Sequence, residues 1–328
     1  MKAIFLRAFK MGAVRVAELP TPKAKSGQVL VKMEAASINP SDLVFLRNQY
    51  GIKKKLPVVP GFEGSGIVVR ANAGLYGRWL LGKRVACHAP ADGDGTWAEY
   101  MATDSTEVIP LRKTVTFEAG ASLLVNPLTA WALLSRVKAE NGPGFVQTAA
   151  SSALGRMMDR LGREWGLRAI NIVRRHEQVE LLKKAGAVHV LDSTDPGFDE
   201  QLRVLCHTHG IGMAFDAVGG DLTARVATAM PKNSTVVVYG ALSGEPCQMN
   251  PTSIIFEGKH MQGFWLTEWI KTIGILPKLK MAFEVQAHLN DELSTQVQAR
   301  FPLEKIQEAL ALYKSKRSDG KVLLIPGQ

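Results

Sequence analysis

The chain has 328 residues, 46% hydrophobic and 21% charged, long enough for two domains of ordinary size and close to the globular average. That composition excludes a disordered tail, a collagen and a coiled coil. Forty Lys and Arg against thirty Asp and Glu give a net charge of +10 and a pI near 9.5. Such a balance fits either a solvated basic surface or anionic partners such as phosphates, thioester carriers, nucleic acid or acidic lipid.

The first apolar run, Ala3-Ile-Phe-Leu6, is too short for a signal peptide and reads as a strand. Residues 1–110 are β-rich. Val29 to Ala35 alternates apolar and polar side chains as a half-buried strand does. Gly66 to Arg70, Arg84 to Cys87 and Glu99 to Ala102 are further short strands, with Gly and Pro clusters between them. From about residue 117 the texture changes. Ala119 to Lys138 is Ala- and Leu-rich and reads as helix, broken or restarted at Pro127. Strands at Phe145–Thr148, Ala169–Val173, Val188–Leu191, Met213–Asp216 and Thr235–Tyr239 alternate with helices at Ala153–Trp165 and Gln178–Lys184. Continuously apolar strands in that alternation predict a doubly wound parallel sheet covered on both faces. A helix at Glu304–Lys316 and a strand from Lys321 close the chain. The expected fold is α/β, with a β-rich domain (1–116 and 264–328) interrupted by a parallel-sheet domain (117–263).

Cys87, Cys206 and Cys247 make a poor disulfide framework and no CxxC pair, which suggests a reducing compartment. With no long uncharged apolar run and no Arg/Ser-rich leader, the expectation is a cytoplasmic protein that does not cross a membrane.

The strand ending at Thr148 runs through Ala149-Ala-Ser-Ser-Ala-Leu-Gly155 into a helix. This is the context of a dinucleotide turn, with the G-x-G-x-x-G positions falling on Ala150, Ser152 and Gly155. The small side chains leave the backbone approachable. The Ser152 hydroxyl and the helix N-terminus at Ala153, Leu154 and Gly155 offer donors to a pyrophosphate. An ordinary tight βα turn needs small residues too, so the turn alone does not decide. The next strand sharpens the reading. An NAD site places an acid at its end, whereas here Val173-Arg174-Arg175 follows. Arginine makes bidentate bonds to phosphate, which favours the 2′-phosphate of NADPH over NAD.

The order of several strings then carries a resemblance: Ser37-Ile-Asn-Pro-Ser-Asp42, Val59-Pro-Gly-Phe-Glu-Gly-Ser-Gly66, Gly95-Thr-Trp-Ala-Glu-Tyr100, the nucleotide turn, Asp216-Ala-Val-Gly-Gly220 and Tyr239-Gly-Ala-Leu-Ser-Gly244. Over essentially its whole length the chain resembles the medium-chain dehydrogenase/reductase superfamily. The resemblance implies a GroES-like catalytic domain, a Rossmann domain binding NADPH, and a homodimer. Phe62 stands where zinc-dependent members carry a histidine, and Asn39 to Asp42 lacks the early cysteine ligand. The expectation is therefore a zinc-free branch, with no metal. That branch holds enoyl-thioester reductases and, as siblings, quinone or alkenal reductases. Val125 to Trp131, Ala150 to Arg156, Asn171 to Arg175 and Gly263 to Trp269 are more similar to the enoyl reductases.

The resemblance implies roles. A tyrosine serves the enoyl-thioester reductases at the reacting oxygen, and Tyr50 sits where that tyrosine would. Taken alone, Tyr50 reads as a loop or core tyrosine rather than a catalytic one. Asn39 either orients the nicotinamide and the Tyr50 loop or forms a turn before Pro40. Thr129 either contacts the nicotinamide or is a helix-start hydroxyl. Tyr239 and Gly240 end a parallel strand, where cofactors bind. Phe264 and Trp265 either offer backbone groups to the carboxamide or are core. Lys321 either pairs with a cofactor phosphate or is a surface charge. The run Lys53-Lys-Lys55 is a solvated loop or a contact for coenzyme A or an acyl carrier protein. The remoter alternative is a non-catalytic NADPH- or RNA-binding relative, although no recognised RNA module is present.

Overall fold

The computed structural model describes residues 1–316 and 320–327. Its elements, in chain order, are β1 (Lys2–Leu6), β2 (Val14–Glu18), β3 (Gln28–Ser37), α1 (Pro40–Phe45), β4 (Glu63–Asn72), α2 (Gly74–Leu80), β5 (Arg84–His88), β6 (Tyr100–Asp104), β7 (Val108–Pro110) and α3 (Phe117–Gly120). The middle of the chain gives α4 (Asn126–Ala139), β8 (Gly144–Gln147), α5 (Ala153–Glu164), β9 (Arg168–Val173), α6 (His176–Lys184), β10 (His189–Asp192), α7 (Phe198–His209), β11 (Met213–Asp216), α8 (Asp221–Ala229), β12 (Thr235–Val238), α9 (Pro251–Glu257) and β13 (His260–Gly263). The last part gives α10 (Leu266–Thr272), α11 (Ile275–Ala287), β14 (Val297–Phe301), α12 (Ile306–Ser315) and β15 (Lys321–Leu324).

Two compact units result: residues 1–127 with 282–328, and residues 128–281. The divisions fall inside α4 and α11, later in the chain than the texture change near 117 and the end of the last parallel strand suggest. Pro127 starts a helix rather than breaking one. It is the second residue of α4, where a missing N–H costs nothing because that group has no intrahelical acceptor.

The first unit is built on a seven-stranded sheet in the order β14-β15-β3-β4-β5-β7, with β6 paired on β3. Its pairs are antiparallel except β14 with β15. A β1–β2 hairpin lies beside it and hydrogen-bonds through Ile4 N–H to Trp97 O (2.8 Å) and Leu6 N–H to Val58 O (2.9 Å). The inward side chains of β3, β4 and β5, among them Val29, Val31, Met33, Val68, Val85 and Cys87, make one buried cluster with Leu80 and Met101.

The second unit is a six-stranded sheet, parallel throughout, in the order β10-β9-β8-β11-β12-β13. With β8 as the first strand this is the 3-2-1-4-5-6 order of the doubly wound fold, as the continuously apolar strands foretell. Strand residues Val146, Ile170, Ile172, Ala214 and Val236 pack with Phe198, Leu202 and Val226 of the covering helices. The order reverses between β8 and β11, so their carboxyl ends open a crevice where such sheets bind ligands. Among the described residues no helix is long and apolar enough to cross a membrane.

Candidate functional site

In the parallel-sheet unit, the residues singled out by sequence, Thr129 of α4 apart, follow the carboxyl ends of the strands. The turn after β8 is tight. Ala149 adopts φ +50°, a left-handed conformation that a residue with a Cβ takes only when its surroundings fix it. Ala150 is buried and donates its N–H to Ile172 O at 3.1 Å. Ser152 caps α5, its hydroxyl accepting from Gly155 N–H at 3.1 Å. A Cβ on Gly155 would lie 2.5 Å from the Ala150 carbonyl oxygen. Only glycine lets the helix pack this close, and the first-turn N–H groups of Ala153 and Leu154 have no intrahelical acceptor. The arrangement fits an anionic ligand.

Beyond β9, Arg174 and Arg175 are both exposed, and Arg175 is the N-cap of α6. Arg174 N–H donates to Gln178 Oε1 at 3.3 Å. Among the described residues neither guanidinium has a protein partner. Tyr239 and Gly240 follow β12, where a Cβ on Gly240 would approach Ala217 O to 2.8 Å. The Tyr239 hydroxyl is buried and without a hydrogen-bond partner among the described residues. Burial, with Asp216 nearby, pushes its pKa up. Phe264 follows β13 and donates its N–H to Val238 O (2.8 Å), and Trp265 is the N-cap of α10. Thr129 is buried in the first turn of α4.

Sequence reasoning missed the struts under this edge. Asp216, fully buried at the end of β11, accepts from Thr148 Oγ1 (2.7 Å), Thr223 Oγ1 (2.6 Å) and the Val218 N–H (2.8 Å). Those bonds satisfy a buried carboxylate and fix the β8 and β11 ends on either side of the crevice. Below the turn, Gln147 Nε2 donates to Asn171 Oδ1 (2.6 Å), and Asn171 Nδ2 donates to Asp159 Oδ1 (2.8 Å). Polar residues inside continuously apolar strands are the signal that marks both sets.

The other unit holds a buried polar network. Glu63, fully buried at the start of β4, accepts at Oε1 from Ser37 Oγ (2.8 Å) and Asn39 Nδ2 (2.9 Å). At Oε2 it accepts from the Leu124 and Val125 N–H groups, both at 2.9 Å. Lys321 Nζ lies 3.4 Å from Glu63 Oε1 and donates to Asn39 Oδ1. Lys321 is thus not a surface charge: it is 3% exposed, and its ammonium is engaged by Glu63 and Asn39 rather than left for a phosphate. Asp42 accepts from Asn39 N–H (2.7 Å) and Phe62 N–H (3.1 Å). Burial raises its carboxyl to about 7. Asn39 is both the N-cap of α1 and a member of the network.

Tyr50 lies half-buried with its ring 4.8 Å from that of Phe62. Phe62 in turn packs edge-on against Phe45 (5.6 Å) and stacks on His88 (6.3 Å). Gly61 makes this possible: its φ is +98°, and a Cβ there would strike Trp97 Cδ1 at 2.3 Å. The lysine run is not uniformly solvated. Lys53 and Lys55 are exposed, but Lys54 is only 7% exposed and donates to Gly93 O at 2.7 Å. Among the described residues no group of three or more His, Cys, Asp or Glu is placed to hold a metal ion.

Residues 25–113 match the alcohol dehydrogenase GroES-like domain, and residues 153–280 match the zinc-binding dehydrogenase model. The chain is 31% identical over 261 residues to a mitochondrial enoyl-[acyl-carrier-protein] reductase of Arabidopsis thaliana, covering 78% of this chain and 69% of the relative. A putative NADPH:quinone reductase from Mesorhizobium loti superposes with a TM-score of 0.90 at 35% identity, covering 99% of this chain and 98% of the other. A mycobacterial protein solved in complex with NADPH gives 0.84 at 25% identity, covering 99% and 100%.

Fold, motif order and these matches define the class: the chain belongs to the medium-chain dehydrogenase/reductase superfamily, with a GroES-like domain and a Rossmann-type parallel-sheet domain. Within that class it is an oxidoreductase, similar both to the enoyl reductases and to the NADPH:quinone reductases.

Proposed function

We propose that the protein is an NADPH-dependent, zinc-free reductase that transfers hydride to the β-carbon of an enoyl thioester carried on coenzyme A or an acyl carrier protein. The observation that carries the reading is the Tyr50 ring seated on Phe62 beside a buried, fully hydrogen-bonded carboxylate network. The similarity to the Arabidopsis enoyl reductase supports it.

NADPH, when bound, supplies the hydride. The donors for its pyrophosphate are the Ser152 hydroxyl and the N–H groups of Ala153 and Leu154, while Gly155, whose N–H is held by Ser152, contributes the close approach of the helix. Arg174 and Arg175 take the 2′-phosphate, since no acid stands at the end of β9 to receive a free ribose hydroxyl. Thr129, Tyr239, Gly240, Phe264 and Trp265 line the nicotinamide end. As hydride reaches the β-carbon, negative charge builds on the thioester oxygen, and the Tyr50 hydroxyl donates a hydrogen bond to it. Asn39 and Lys321 act through Glu63, fixing the start of β4 and hence Phe62 and the Tyr50 ring. Glu63 has both oxygens occupied by protein donors, a donor set that leaves this carboxylate no vacancy for a metal. Exposed Lys53 and Lys55 flank the same segment and suit an anionic carrier.

Assembly as a homodimer fits the same reading. All four residues of edge strand β13 are exposed, as are Ile254, Ile255 and Phe256 of α9. An open strand edge beside apolar side chains is a surface that association covers.

A second reading, NADPH:quinone reductase, is favoured by the similarity to the Mesorhizobium structure. NADPH oxidation at matched concentrations of a short trans-2-enoyl-CoA and an ortho-quinone separates the two. Faster turnover of the thioester supports the proposal, and turnover of the quinone alone moves the assignment to the sibling.

A further inference from the structure

Lys54 is a buried cation of the first unit that makes no ion pair among the described residues. Exposure along its segment alternates: Gly51, Lys53 and Lys55 face solvent, while Ile52 and Lys54 turn inward with half-buried Tyr50. Among the described residues the Lys54 ammonium makes one hydrogen bond, to Gly93 O, and no carboxylate lies within ion-pair distance. Two of its three N–H groups therefore have no protein acceptor, in a residue 93% removed from solvent (7% exposed). A buried charge is normally paired. The charged groups facing it are Asp94 and Asp92 on the loop after β5, Asp42 on α1 and His88 at the end of β5. Asp42 and His88 are the two groups that flank Phe62, whose ring carries Tyr50.

Resting on the enoyl-thioester reading above, we propose that Lys54 is a second catalytic residue, which donates the proton that completes the reduction. Hydride from NADPH forms the new C–H bond at the β-carbon, and the double-bond electrons move to the thioester as an enolate. The enolate then takes a proton from Lys54 Nζ: the N–H bond breaks and the α-carbon C–H bond forms. The amine left behind is reprotonated by water. Tyr50 holds the oxygen while Lys54 serves the carbon. Burial lowers the lysine to about 8, against a raising influence of Asp94, Asp42 and Asp92. That places the ammonium near the range in which a general acid works at neutral pH.

The test compares wild type, Lys54→Met, Lys54→Arg and Lys23→Met with NADPH and a short trans-2-enoyl-CoA across pH 6 to 10. NADPH affinity and thermal melting are measured alongside. The wild-type kcat should fall as pH rises through about 8, where the acid is lost. Lys54→Met should lose roughly 10²-fold or more in kcat, with the pH step gone and KM little changed. Lys54→Arg should keep activity at pH values where wild type has lost it. Lys23→Met, an exposed lysine with no part in the site, should match wild type. If folded, NADPH-binding Lys54→Met keeps the wild-type kcat and pH step, the lysine is a structural tether and the proposal is overturned. If wild type reduces no enoyl thioester, the functional reading fails and the proposal with it.

Discussion

Lys321 and Glu63, 258 residues apart in the chain, meet at 3.4 Å with side chains 4% and 0% exposed. The pair ties β15, the last strand, to the start of β4. Both ends are further bonded, through Asn39 and Ser37 and through two backbone N–H groups. The second segment of the unit is thereby locked to the first.

Removing one partner should be costly. Lys321→Met leaves Glu63 buried without its cation, a change expected to cost about 3–5 kcal/mol of unfolding free energy. Adding Glu63→Gln should recover part of that loss, because the uncompensated charge goes with it. A double-mutant cycle by urea unfolding measures the coupling. Additive losses would mean that the two side chains do not act as a pair.

The arginines after β9 predict cofactor choice. Arg175→Ala or Arg174→Ala should weaken NADPH binding by about 1.5–3 kcal/mol, roughly 10- to 100-fold, for loss of charge-assisted bonds. Affinity for NADH, which lacks the 2′-phosphate, should stay within a few fold. Fluorescence titration with both nucleotides measures this. Equal losses for the two would remove the phosphate role.

Asp42 predicts a pH dependence. Burial raises its folded-state pKa from the ordinary 3.8 to about 7. The folded chain therefore holds this proton more tightly than the unfolded chain. The stability it contributes is fully present below pH 3.8 and is lost as pH rises through about 7. Asp42→Asn, which cannot titrate, should show a shallower fall in unfolding free energy between pH 5 and 8 than wild type. Identical slopes would show that Asp42 is ionised throughout.

Much of this was legible because the responsible forces are local. The parallel sheet followed from apolar runs alternating with helices. The tight turn from β8 into α5 followed from the small residues before Gly155. Where partners come from far along the chain, local pattern fails. Nothing around Lys321 announces that its ammonium is claimed by Glu63, and Lys54 sits inside a run of three lysines that reads as solvated. α2 was missed because Leu75 and Trp79 are 82% and 54% exposed and the buried side of this short helix is only Gly77 and Leu80, too little to show an amphipathic period. The divisions at 127/128 and 281/282 fall within helices, whereas a change of texture along the sequence marks the ends of elements.

The most direct test of the central claim is the rate of NADPH oxidation with a short trans-2-enoyl-CoA for wild type and Tyr50→Phe. The substitution keeps the ring on Phe62 and removes only the hydroxyl. Loss of one donor to the developing oxyanion should lower kcat by about 10²–10³-fold, with folding and NADPH binding retained. An unchanged kcat in a folded, NADPH-binding variant would contradict the account and leave Tyr50 a packing residue.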